Sequence, residues 1–300
     1  MTRFSRVLAI AAVLPPAGTA PGAAQGLASV RAAVEERVRS SGAEAVGVYV
    51  RNLTRPDSLL IGAATRFHAA SMMKVPMMIQ VFRDADARRL RLGDSIPVVN
   101  SFRSIVDGSP YGLSPADDSD STLYGRVGGL ASVRELVELM ITVSSNLATN
   151  VLIDRVEAGR AQQTALALGA DSIQMRRGVE DTKAYRAGLN NTTTARDLGV
   201  LFAAIARGRA ASAGACREMT GILERQHFNE SIPAGLPAGV RVAHKTGWFT
   251  GTHHDGGIVS APGGRRYVLV VLTRGIQDEQ LSARLIADIA GLVHGAVAVR

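Results

Sequence analysis

Ser71-Met72-Met73-Lys74 opens an apolar run that reads as helix. Residues three apart share a helix face, so this spacing sets a hydroxyl and an amine one turn from each other. A lysine so placed can take the serine's proton once its own pKa is lowered, and the serine then becomes a nucleophile. The tetrad alone also suits a plain helix start, with Ser71 as cap and Lys74 in solvent. Two further triplets change that balance. Ser144-Ser145-Asn146 is a polar interruption of an apolar helix pattern, and Lys245-Thr246-Gly247 falls on a predicted strand. The set contains a nucleophile, a base, a proton relay and a cation for a carboxylate, which is the equipment for acyl transfer.

Such residues act only if the chain holds them around one cleft. Leu27, Val30, Val34 and Val38 form one stripe, predicting a helix over 27–41. Val46, Val48 and Val50 alternate with Gly47 and Tyr49 as in a strand, and a second strand over 58–61 would pair with it across Arg55-Pro56-Asp57. From Ser71 to about Gly235 the patterns are helical or loop-like. Val133, Leu136, Val137, Met140 and Ile141 have helical spacing within 132–154, and 107–128 is rich in Gly, Ser, Pro and Asp, as in a long surface loop. A helix over 194–206 follows Asn190-Asn191-Thr192, its expected cap region. Strands return at 240–246, 254–260 and 267–272, the last a continuous apolar run that suits a central buried strand. A closing helix over 278–297 carries Leu281, Leu285, Ile289 and Leu292 in register. The expected architecture is therefore α/β of the α+β type, in two lobes. Residues 25–66 and 238–300 would join in one antiparallel sheet flanked by helices, and 67–237 would form an all-helical lobe with the site in the cleft between.

Composition narrows the function classes. The 300 residues are 46% hydrophobic and 20% charged, which is globular, and with 4% aromatics the core must be aliphatic. The net charge of +8 comes from scattered arginines without a basic run, so nucleic acid is not an expected partner. Arg3 and Arg6, the apolar stretch Val7–Val13 and the small residues Gly22-Ala23-Ala24 predict a signal peptide over 1–24. That stretch is too short to span a bilayer. Cys216 is the only cysteine, which excludes a lipidated N-terminal cysteine and an intramolecular disulfide. The mature chain, 25–300, is expected to be an exported monomer, periplasmic or secreted, with no stable membrane insertion. Cys216, Met72, Met73, Met77 and Met78 read as core packing. His253-His254-Asp255 does not read as a metal site, because adjacent strand residues face opposite ways and no other ligand set has zinc-like spacing. No cofactor is expected.

The order SxxK, SxN, KTG resembles the motif set of class A serine β-lactamases, within the penicillin-recognising serine enzymes. The resemblance runs from about residue 27 to 297, and His244 through Gly247 leading into Asp255-Gly256-Gly257-Ile258-Val259 is similar to the paired strands of those enzymes. It implies that Ser71 attacks the lactam carbonyl, Lys74 helps deprotonate it, and Ser144 relays a proton to the leaving nitrogen. Asn146 would bind the substrate's side-chain amide. Lys245 and Thr246 of the Lys245-Thr246-Gly247 strand would bind its carboxylate, and the backbone N–H groups of Ser71 and Trp248 would form the oxyanion hole. Glu180, between the second and third motifs and followed by Asn190-Asn191-Thr192-Thr193-Thr194, would activate the deacylating water. Three positions depart from the pattern. Ser145 replaces an aspartate, Trp248 replaces a small residue, and Ala184 stands where an asparagine usually helps to hold the water. Asp181 is a rival base, and Arg274 is a candidate for the carboxylate-binding arginine. The expected function is β-lactam hydrolysis. The alternatives are a D-alanyl-D-alanine peptidase-like hydrolase, acylated by penicillin but slow to release it, and a non-catalytic binder of cell-wall peptides.

Overall fold

The structure, a computed structural model, describes residues 26–298. The signal segment expected over 1–24 lies outside the described residues. In chain order the elements begin with α1 (Leu27–Arg39), β1 (Ala45–Asn52), β2 (Ser58–Ile61), β3 (Phe67–His68), a 3-10 turn (Ala70–Met73) and α2 (Lys74–Asp86). Next come β4 (Ser95–Pro97), β5 (Phe102–Arg103), β6 (Pro110–Tyr111), β7 (Leu130–Ser132), α3 (Val133–Thr142), α4 (Asn146–Val156), α5 (Ala158–Ala167) and α6 (Thr182–Arg186). The chain ends with β8 (Thr192–Thr193), α7 (Ala195–Ala206), α8 (Ala213–Glu224), β9 (Arg241–Phe249), β10 (Thr252–Ser260), β11 (Arg266–Arg274) and α9 (Glu279–Ala298). No described helix is long and apolar enough to cross a membrane.

The two ends of the chain meet in one antiparallel sheet of order β2-β1-β11-β10-β9, as expected. Val48 stands opposite Val271 in the β1–β11 pair, and Lys245 opposite Gly256 in the β9–β10 pair. Successive side chains of β11 point to opposite faces. Tyr267, Leu269 and Val271 join Val46, Val48 and Val50 against Leu27, Val34, Leu285, Ile286 and Ile289 of α1 and α9. Val268, Val270 and Leu272 face Leu198 and Phe202 of α7. Helices cover both faces, so this central strand is an unbroken buried run from Tyr267 to Leu272. Close packing of α7 needs Gly199, where a Cβ would stand 2.1 Å from the Tyr49 ring.

Helix α2 is buried on every side, from Lys74 to Phe82, as a helix that is apolar all round must be. Met72, Met73, Met77, Met78 and Cys216 all lie in the core.

Some local expectations need correction. The 132–154 pattern is two helices, because Ser144 takes φ +58° and ends the first, while the Ser145 side chain caps the second by accepting from the Ala148 N–H. Residues 190–192 do not cap α7. Thr194 does, in a reciprocal capping box with Asp197, while Thr192 and Thr193 pair with β3. Leu281 is 52% exposed, because the buried stripe of α9 runs through Ser282, Leu285, Ile286 and Ile289 instead. The loop 107–128 is not wholly superficial, since Asp118 reaches inward from it.

Candidate active site

Ser71 sits on the 3-10 turn that feeds α2, and the Lys74 backbone N–H closes that turn onto the Ser71 carbonyl. Ala70, just before it, has φ +44°, a conformation that costs a non-glycine residue about 1–3 kcal/mol. Its N–H donates to His68 Nδ1 at 3.1 Å, which helps hold the turn there. Strand β9 is the sheet edge beside this turn, and such an edge leaves outward backbone groups unpaired by a neighbouring strand. Gly247 is what lets it come close, since a Cβ there would lie 3.1 Å from the Ser71 nitrogen. Trp248, next along the strand, is 56% exposed and forms part of the cleft wall, so its ring is not core packing.

Both lysines are fully buried beneath the cleft floor. Lys74 Nζ donates to Ser144 O at 2.6 Å, Ser144 Oγ at 3.1 Å and Asn146 Oδ1 at 2.9 Å. An ammonium spends all three N–H bonds on these oxygens, whereas the neutral amine has a lone pair free to accept a proton. Burial brings Lys74 down to about 7, against the opposing pull of the Asp118 and Glu180 charges. A neutral fraction therefore exists near pH 7.

Lys245 Nζ also donates to Ser144 Oγ, at 3.0 Å, and to its neighbour's carbonyl, Thr246 O, at 2.7 Å. Its pKa falls well below the ordinary lysine value through burial and then through the Lys74 charge, with Asp255 opposing. With both lone pairs of Ser144 Oγ taken by the two amines, its own proton is left to point elsewhere, which suits a relay to a leaving nitrogen. The strained backbone at Ser144 is what turns the hydroxyl to this place between the lysines.

Glu180 also has a left-handed backbone, φ +63°. Its Oε1 accepts from Asn146 Nδ2 at 2.9 Å. Burial raises its pKa; the Asn146 hydrogen bond lowers it, the Asp118 and Asp117 charges raise it and Lys74 lowers it. A raised carboxylate pKa next to an amine is what a general base needs. Asp181 is not an available rival. It is 1% exposed, accepts from Ser104 Oγ, the Ile105 N–H and the Ala184 N–H, and caps α6. Ala184 is buried with its N–H so engaged, and it offers no side chain to a water.

The roles of two residues here were not legible in the sequence. The Asp118 carboxylate accepts from the Asn146 and Leu147 N–H groups, with contacts of 2.8 and 2.9 Å, and from Tyr124 OH at 3.0 Å. It supplies the negative charge at the start of α4 that Ser145 does not carry. No short-range pattern marks it, because its partners lie 28 and 29 residues on. Asn191 ties the neck of the Glu180 loop. Its Oδ1 accepts from the Arg176 and Arg177 N–H groups, and its Nδ2 donates to Arg177 O.

Arg274 is corrected outright. It pairs with Glu44, donates to Arg66 O and lies over the Phe67 ring, 5.7 Å from its centroid, away from the cleft. His253 and His254 diverge, as strand neighbours must. His253 meets Ser231 Oγ and His254 meets His68 O. Ser71, Ser144, Asn146, Glu180, Thr246, Gly247 and Trp248 line one cleft of about 860 Å³, with Lys74 and Lys245 behind them. The structure thus brings these nine residues of the three motifs and the loop together, while Ser145, Asp181 and Ala184 are buried in local capping and packing.

The family model described as the beta-lactamase enzyme family matches residues 29–297. A beta-lactamase of Streptomyces albus G is 28% identical over 297 residues, covering 94% of this chain and 91% of that relative. The crystal structure of a beta-lactamase from Sphaerobacter thermophilus DSM 20745 aligns with TM-score 0.74 at 28% identity, covering 92% of this chain and 98% of that one. The structure of PBP-A aligns with TM-score 0.76 at 28% identity, covering 90% and 96% respectively. The matched span takes in all three motifs and the five-stranded sheet, and the chain belongs to the beta-lactamase enzyme family, serine hydrolases of β-lactams.

Proposed function

We propose that this enzyme opens the lactam amide through an ester on Ser71, in the class A manner, and releases the product with a water activated by Glu180. The neutral Lys74 amine takes the Ser71 proton as Oγ attacks the carbonyl. The oxyanion forms against the N–H groups of Ser71 and Trp248, where one such donor contributes about 2.7–4 kcal/mol. The proton passes from Lys74 through Ser144 Oγ to the lactam nitrogen, and the C–N bond breaks. Lys245 and Thr246 hold the substrate carboxylate, whose charge favours a protonated Lys245. Glu180 then removes a proton from water, the water attacks the ester, and that proton returns from Glu180 through the Lys74 amine to Ser71 Oγ as the ester C–O bond breaks. Asn146 aligns Glu180 and Lys74 through one amide.

The observation that supports this reading best is the shared Ser144 hydroxyl, accepting from two buried amines beside the serine turn. The test is Ser71→Ala, which should abolish benzylpenicillin hydrolysis while leaving the thermal unfolding curve in place. Hydrolysis by that variant at the wild-type rate would remove Ser71 from the mechanism.

We also propose that residues 1–24 are removed on export and that the remaining chain works as a periplasmic or secreted monomer. In it an α/β lobe (25–66 and 238–300) and a helical lobe (67–237) face each other across the cleft. The N-terminal charge and apolar pattern support export.

A further inference from the structure

At the end of the cleft beyond Trp248, four side chains converge from three elements and a loop. Phe249 stacks on His68 with centroids 4.8 Å apart, and Tyr185 of α6 meets both edge-on, at 6.3 Å from His68 and 5.5 Å from Phe249. The Arg177 guanidinium lies over the Tyr185 ring, 5.8 Å from its centroid. Arg177 lines the cleft although it is only 6% exposed. Among the described residues no carboxylate lies within ion-pair distance of it. Nη1 donates to Gly178 O and Nη2 to Asn190 Oδ1, while Nε has no partner. The neck of the loop is closed by the Asn191 amide on the backbone, so the guanidinium is not consumed there. The Asp181 charge offsets the cost of burying the guanidinium only in part, and a buried cation without a directly paired anion is a costly arrangement.

The contact between Arg177 and His68 points the same way. His68 Nδ1 accepts the Ala70 N–H, so the neutral ring carries its proton on Nε2. That Nε2–H faces Arg177 Nη2 at 3.4 Å. Two donors therefore face each other, with no acceptor between them. Burial, then the Arg177 charge, hold the His68 pKa down at about 4, which keeps the ring in this neutral form at neutral pH. Protonation would not resolve the conflict, because it would set a second N–H against Ala70. An incoming oxygen acceptor with negative charge resolves it and neutralises the guanidinium at once.

We propose that His68 and Arg177 form an anion subsite that takes a carboxylate carried on the acyl side chain of a β-lactam. This rests on the reaction proposed above. Phe249 lies three residues along β9 from Thr246, about 10 Å at ~3.3 Å per residue. A substrate with its ring carboxylate at Thr246 and its carbonyl at Ser71 would extend its acyl group toward this end. The subsite therefore selects α-carboxy penicillins over their uncharged counterparts.

The test compares kcat/KM for carbenicillin and benzylpenicillin, which differ by one carboxylate on the side-chain carbon, in wild type, Arg177→Met and Arg177→Lys. Each ratio is taken on one preparation, so loss of folded enzyme cancels. The carbenicillin-to-benzylpenicillin ratio should fall about tenfold or more in Arg177→Met, as expected for a lost charge-assisted hydrogen bond, and recover in part in Arg177→Lys. A wild type that hydrolyses benzylpenicillin, with a ratio that Arg177→Met leaves within twofold, overturns the subsite and reduces Arg177 to a packing partner of Tyr185. A wild type that hydrolyses neither drug overturns the reaction on which the subsite rests.

Discussion

Asn146 holds Glu180 by a hydrogen bond of 2.9 Å from its amide nitrogen, while its amide oxygen accepts from Lys74. One side chain thus fixes the distance between the amine proposed to serve acylation and the carboxylate proposed to serve release. Asn146→Leu keeps the volume and removes both bonds. Loss of a hydrogen bond to a charged group costs about 1.5–3 kcal/mol, so the slower step should fall roughly tenfold to a hundredfold. Stopped-flow records with a chromogenic cephalosporin should then show a burst followed by slow turnover. A variant with wild-type kcat and no burst would remove Asn146 from this role.

The acid limb of kcat/KM should report Lys74. Below about pH 7 the amine is protonated and cannot accept from Ser71, so activity should rise with pH through that region. The Asp118 charge raises the Lys74 pKa, so Asp118→Asn should lower it and move the limb to lower pH. A limb that stays in place in Asp118→Asn would mean that another group titrates there.

Much of the frame was legible because its signals are local. The alternation of β1, the apolar run of β11 and the stripe of α9 each lie within one element, and the sheet order follows once both chain ends supply strands. The three motifs were legible for the same reason, because a turn of helix or two strand positions fix their geometry. Asp118 and Asn191 were not. Each works through backbone groups brought close only by tertiary folding, and an aspartate in a polar loop looks like any other. The capping of α7 was misread because a run of Asn and Thr offers several good caps, and strand pairing by Thr192 and Thr193 left Thr194 as the one in place. Arg274 sits at a strand end, as a carboxylate-binding residue could, yet Glu44 and Phe67 claim it.

Asp118 should also matter to stability. Its carboxylate accepts the first N–H groups of α4, and losing a helix cap costs about 0.5–2 kcal/mol. Asp118→Ala should lower the unfolding free energy by that amount, read as a lower urea midpoint at unchanged m-value. An unchanged midpoint would mean that water or Ser145 caps the helix equally well.

Asn191→Leu should loosen the loop that carries Glu180. Three hydrogen bonds are lost and backbone groups are left without their partner, at about 1–3 kcal/mol. Limited proteolysis should cut within 177–190 sooner than in wild type, and release of the acyl-enzyme should slow more than its formation. Equal slowing of both steps would place the loop's role outside deacylation.

Gly247→Ala puts a Cβ 3.1 Å from the Ser71 nitrogen. Strand β9 must shift away, and the oxyanion hole opens with it. Acylation by benzylpenicillin should slow about a hundredfold or more, the loss typical of one oxyanion donor. Acylation at the wild-type rate would show that β9 moves without disturbing that hole.

The most direct test of the whole account is intact-protein mass spectrometry of wild type and Glu180→Gln after mixing with excess benzylpenicillin, sampled from seconds to hours. Wild type should show a penicilloyl adduct on Ser71 that appears and vanishes as the drug is consumed. Glu180→Gln should form the same adduct and keep it. An adduct that clears from Glu180→Gln as fast as from wild type would contradict the assignment of Glu180 as the base that activates the deacylating water.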